Sequence, residues 1–150
     1  MMNIEHALQT DGYLLYTNKG VSMMPLLRQN HDVMHIVAQH SGFKVDDVVL
    51  FKRDNGQYVI HRITKIHEGG LYTIIGDNCI GGELVREDQL LGRLIKIHRD
   101  GTTLSVTDPR YLRYVKTVPF RRWLLRVKWR GRRLLSKPYH VYKRLIRKSI

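Results

Sequence analysis

Apolar positions in the first hundred residues fall in short runs separated by turn residues. Residues 13–17, 33–37, 47–52, 58–67, 71–75 and 90–98 are rich in branched and aromatic side chains, the composition of strands. Asn55-Gly56, Gly69-Gly70 and Asp100-Gly101 supply hairpin-type turn signals between them. Strand alternation over 58–67 puts Val59, His61 and Ile63 on one face and Tyr58, Ile60 and Arg62 on the other. This spacing predicts a mainly β protein, a coiled antiparallel sheet or open barrel. Residues 3–10 predict one or two turns of helix.

From Pro119 the period changes. At 100° per residue, Phe120, Trp123, Leu124, Val127, Leu134 and Leu135 fall in one arc of roughly 120°, the width of an apolar stripe. Arg121, Arg122, Arg126, Lys128, Arg130, Arg132, Arg133 and Lys137 lie outside it, with Leu125 and Trp129 interrupting the polar side. Proline is permitted in a first helical turn, so a helix is expected from Pro119, weakened at Gly131 and ended by Pro138, with a second one over 139–147.

Charge sharpens this division. Residues 1–108 hold all 13 acids and 11 of the 26 Lys/Arg, whereas residues 109–150 hold the other 15 and no acid. The chain therefore reads as a near-neutral domain over 1–108 and a basic, amphipathic helical tail over 109–150, the boundary falling at Asp108-Pro109. Such a tail suits an anionic membrane surface. Nucleic acid, or simple packing on the domain, is the alternative partner.

A length of 150 residues favours one domain. The single cysteine, Cys79, excludes an internal disulfide and a multi-cysteine zinc site, and reads as a small turn residue. His31 and His35 stand four apart, but on a loop and strand that spacing does not align metal ligands, so neither metal nor cofactor is expected. No run approaches the roughly 20 apolar residues that span a bilayer. The N-terminus lacks the basic start and apolar centre of a secretory signal. Action on the cytoplasmic side, peripheral to the membrane, is the expectation.

The candidate chemistry lies in three places: Ser22 within Gly20-Val21-Ser22-Met23-Met24-Pro25, His61 within Tyr58-Val59-Ile60-His61-Arg62-Ile63, and Asp77 within Ile75-Gly76-Asp77-Asn78. A serine hydroxyl needs a neighbouring base to become a nucleophile. Histidine suits that task near neutral pH, and a carboxylate holds the imidazole in the productive tautomer. Asp88 is a second candidate for that carboxylate. Lys65, on the His61 face by alternation, is a weaker candidate base.

These boxes, in this order, resemble those of the signal peptidase I superfamily, which includes the LexA-like self-cleaving proteases. The serine box matches Gly-x-Ser-Met-x-Pro and Gly76-Asp77-Asn78 matches the Gly-Asp-Asn box. His61-Arg62-Ile63 is similar to the branch that uses histidine where many bacterial members use lysine. Lys44-Val45-Asp46-Asp47-Val48-Val49 is similar to the Gly-Asp-Val-Val strand, with Asp46 where glycine is usual. The resemblance spans roughly residues 18–98. It implies a serine endopeptidase acting through an acyl-enzyme on an extended precursor or leader peptide, with Ser22, His61 and Asp77 catalytic and Met23 and Met24 near the substrate. No counterpart of the usual N-terminal membrane anchor is expected from residues 1–10. A non-enzymatic lipid- or nucleic-acid-binding module on a retired peptidase fold is the alternative, and a self-processing regulator a third.

Overall fold

The computed structural model describes residues 4–146, with side chains as far as Gly131. Helix α1 (Ile4–Asp11) precedes strands β1 (Tyr13–Thr17), β2 (Val33–Ala38), β3 (Val48–Lys52), β4 (Tyr58–His67), β5 (Leu71–Ile75), β6 (Glu83–Arg86), β7 (Leu90–Arg99) and β8 (Thr102–Ser105). Helix α2 (Pro109–Ile146) follows. The eight strands make one antiparallel half-barrel in the order β1-β2-β7-β3-β4-β5-β6, with β8 pairing β7.

Strand β3 lies near the middle of this order. Val48 and Leu50 enter one apolar cluster, with Leu14, Met34, Ile36, Ile60, Leu94 and Ile97. Val49 and Phe51 enter another, with Phe43, Ile63, Tyr72, Ile74, Val85 and Leu90. A strand covered on both faces needs a continuous apolar run, which Val-Val-Leu-Phe supplies. α1 closes the first cluster through Ile4 and Leu8, and the loop after β1 does so through Met23, Leu26 and Leu27.

All the strands expected from the sequence form, those at 13–17, 58–67 and 71–75 with unchanged bounds. β6 and β8 were not anticipated. In β6 the apolar pair Leu84 and Val85 is adjacent rather than alternating, and only Val85 is buried.

The second departure is α2, which starts at Pro109 rather than Pro119. Asp108 caps it: its carboxylate accepts the Arg110 N–H at 2.8 Å and its carbonyl accepts the Leu112 N–H at 3.0 Å. Pro109 then occupies the first turn, where a missing N–H costs nothing. Pro119 sits inside the helix, and the helix continues through Pro138 instead of ending there. Leu134, Leu135 and the other side chains expected beyond Gly131 lie outside the described residues, as does Arg147.

The face that α2 turns to the domain also differs from expectation. Tyr111, Val118 and Arg122 are buried, while Phe120, Trp123, Leu124 and Val127, the apolar stripe, are exposed. Tyr111 belongs to the first cluster, with Tyr114 and Val115 packed against it. The first turns of α2 are therefore part of the folded domain, not an appended tail.

Candidate active site

Ser22 lies in a turn that follows β1, partly exposed, on the wall of a cleft of about 430 Å³. His61 lines the same cleft from β4, with Tyr16, Asn18, Tyr58 and Cys79. What brings them together is Gly76. A Cβ placed there would stand 2.6 Å from the Ser22 carbonyl oxygen, 3.1 Å from His61 Cδ2 and 2.8 Å from Cys79 Sγ. Only a residue without a side chain lets these three groups crowd one spot. The turn is pinned there by the Asn78 N–H, which donates to the Ser22 carbonyl at 2.7 Å, and by the Asn78 side-chain amide, which donates to the Val21 carbonyl at 3.2 Å. Among the described residues, no hydrogen bond engages the Ser22 hydroxyl.

His61 is buried and its ring packs 6.2 Å from that of Phe51. Its Nδ1 lies 3.5 Å from Glu83 Oε1. Glu83 is in turn gripped by Arg53 through two hydrogen bonds of 2.7 and 2.8 Å. Strand register explains the meeting. Ile63 pairs with Ile74 and Ile74 with Glu83, so all three project to the side of the sheet that His61 occupies. With Nδ1 turned to a carboxylate, Nε2 is left for the cleft. Burial lowers the pKa of His61, the Glu83 carboxylate opposes that, and Arg53 reinforces it. The Arg53 guanidinium holds Glu83 below the usual carboxylate range.

Asp77 does not make the contact expected of it. Arg62 takes both its oxygens, Nε to Oδ1 at 2.8 Å and a terminal nitrogen to Oδ2 at 2.7 Å. Tyr114 donates to Oδ2 at 3.0 Å and Arg122 to Oδ1 at 3.3 Å, both from α2. His61 and Arg62 are successive strand residues and face opposite sides. Asp77 sits on the Arg62 side, where it ties β4 and α2 to the turn. The carboxylate on His61 is Glu83, and Asp88 is exposed and paired with Arg86.

Met23 is wholly buried in the first cluster and does not face the cleft. Met24 is exposed and borders a separate depression of about 450 Å³ with Asn78, Phe120, Leu124 and Lys128. Lys65 is exposed, outside the cleft. The Cys79 thiol lies 4.0 Å from the Ser22 carbonyl, and burial pushes its pKa up, away from the thiolate a nucleophile needs. His31 pairs with Asp32 and Asp100, and His35 packs tilted against Tyr13 and stacked against His98.

Sequence alternation assigns no face to Glu83, because β6 lacks a legible pattern, and gives no sign of Arg53, which lies just beyond β3. It also misses a feature of β4. The ladder with β5 ends at Arg62, so Tyr58, Val59, Ile60 and His61 pair only with β3. Ile63 directs its N–H and C=O toward the β3 side. By alternation the backbone groups of Tyr58 and Ile60 point the other way, to the open edge beside the cleft.

No protein-family model matches this chain, and no curated protein sequence matches it. Among the described residues no helix is long and apolar enough to cross a membrane.

Proposed function

We propose that the protein is a serine endopeptidase of the signal-peptidase-like kind, in which Ser22 is the nucleophile, His61 the general base and Glu83 the carboxylate that orients the base. One observation carries this reading. Ser22 and His61, distant in sequence, meet around a glycine that tolerates no side chain, and the far nitrogen of the imidazole is backed by a carboxylate.

The chemistry follows from the atoms. Nδ1–H faces Glu83, so the Nε2 lone pair accepts the Ser22 proton as Oγ attacks a peptide carbonyl. The Ser22 N–H has no partner among the described residues, which leaves it able to receive the developing oxyanion. His61 returns the proton to the leaving amine, an ester to Ser22 remains, and water attacks it with His61 again as base. The substrate is an extended precursor or leader peptide, which adds to the open edge of β4 as a further strand. Asp77 holds the site together without touching the reaction. α2 attaches the enzyme peripherally to an anionic partner.

The test is cleavage of a panel of precursor peptides by the wild type, Ser22→Ala and His61→Ala. The reading predicts no turnover above background for Ser22→Ala and a loss of roughly 10²–10⁴-fold for His61→Ala. Undiminished cleavage by Ser22→Ala refutes it.

A further inference from the structure

We infer that the outward face of α2 is a docking surface for an anionic lipid bilayer, with the helix lying along the headgroup layer. This deepens the attachment proposed above and does not depend on the chemistry at Ser22.

The carrying observation is which side of the helix stays uncovered. Phe120, Trp123, Leu124 and Val127 occupy one arc and remain 60, 54, 37 and 46 % exposed. The opposite side is consumed by the domain, through Tyr111, Val118 and Arg122. Phe120 and Trp123 stack with ring centroids 5.7 Å apart, which makes a flat aromatic plate on the surface. Water-facing helices of folded proteins put their polar side outward; this one puts its apolar side outward.

Charge chooses the occupant. From Pro109 to Gly131 the helix holds no acid, and Arg113, Lys116, Arg121, Arg126, Lys128 and Arg130 are exposed around the stripe. A second copy of the same face would bring these cations together. Nucleic acid would satisfy the cations but leave the aliphatic stripe in water. A bilayer with anionic headgroups takes both, apolar side chains into the acyl boundary and cations among the phosphates. The stripe also continues toward the site. Phe120 and Leu124 share their depression with Met24, two residues beyond Ser22.

The chain's two tryptophans provide the test. Trp123 lies in the stripe, whereas Trp129, 50 % exposed, lies roughly opposite its centre at 100° per residue. In full-length Ser22→Ala protein, Trp129→Phe leaves Trp123 as reporter and Trp123→Phe leaves Trp129. Each is titrated with phosphatidylcholine vesicles, with phosphatidylglycerol-rich vesicles, with the same carrying brominated acyl chains, and with duplex RNA. The expected result is a blue shift and bromine quenching at Trp123 but not at Trp129. Binding should weaken about tenfold or more without anionic lipid, and again by about tenfold in Phe120→Ser/Leu124→Ser. The inference is overturned by equal quenching of both tryptophans, by absence of vesicle binding, by RNA binding tighter than lipid binding, or by shielding of Trp123 in a lipid-free dimer. Since Ser22 is absent throughout, none of these outcomes bears on the peptidase reading.

Discussion

At the residue scale, two carboxylates separate by what they touch. Asp77 and Arg62 each keep about 1 % of their side chains exposed, and breaking such a pair leaves an uncompensated buried charge. Asp77→Ala should therefore lower stability by about 3–5 kcal/mol, read by denaturant unfolding. Glu83 and Arg53 are about one third exposed, so Glu83→Gln should change stability little while reducing turnover. It should also alter the pH profile. His61 serves as base only when neutral, and its pKa is held below the usual value, so the acid limb of kcat/KM should lie below pH 6.5. Removing the Glu83 charge removes an influence that raises that pKa, so the limb should move further toward acid in Glu83→Gln. A limb that stays put would mean that Glu83 does not act on the base. Gly76→Ala forces a methyl group against the Ser22 carbonyl, and a displacement of that size should cut turnover on the order of 10²-fold. Asp46, just before β3, adopts φ of +76°. Asp46→Gly should stabilise the fold by about 1 kcal/mol and Asp46→Val should destabilise it.

At the element scale, α2 is the part most changed by seeing it folded. Helical periodicity correctly located the Phe120–Val127 stripe, but periodicity reports only which residues share a face, not whether that face is covered. The covered face mixes Val115 and Val118 with Tyr111, Tyr114 and Arg122, whose polar tips reach Asp77 or Arg62, and so carries a weak apolar signature. The prediction is that residues 1–108 alone do not fold, because Tyr111, Val118 and Arg122 leave holes in the domain. A cooperative unfolding transition and a dispersed amide spectrum for that fragment would contradict it. β4 was legible as far as Ile63, where its faces alternate with His61 beside Phe51 and Arg62 beside Asp77; the bulge between Ile63 and Lys65 then breaks the alternation, so Lys65 does not share the His61 face. What alternation could not show is where the β5 ladder stops, since that depends on the turn at Gly76.

For the whole molecule, the mainly β class followed from strand composition and turn residues, and the flanking boxes are what single out Ser22 and His61 for the proposed roles. The approach of Glu83 to His61 was not legible, because it rests on register across three strands. A second ionic centre ties the loop before β2 to the end of β7. Asp32 is fully buried and receives Arg99 on both oxygens, with the Arg28 backbone and side chain adding to it. Burial alone would raise its pKa, but these partners outweigh burial and hold it at about 2. Its folded pKa lies below its unfolded one, so the stabilisation is complete above about pH 4 and disappears as the pH falls toward 2. Arg99→Ala should move acid unfolding to higher pH, followed by circular dichroism.

The central claim is that the surroundings of Ser22 make it a nucleophile. Intact-mass and peptide-mapping mass spectrometry after exposure to a fluorophosphonate tests it without a known substrate. The account predicts one adduct, located on Ser22, absent from Ser22→Ala and strongly slowed in His61→Ala. An unlabelled Ser22 under conditions that modify other serine peptidases, or an adduct that persists unchanged in both variants, would contradict it.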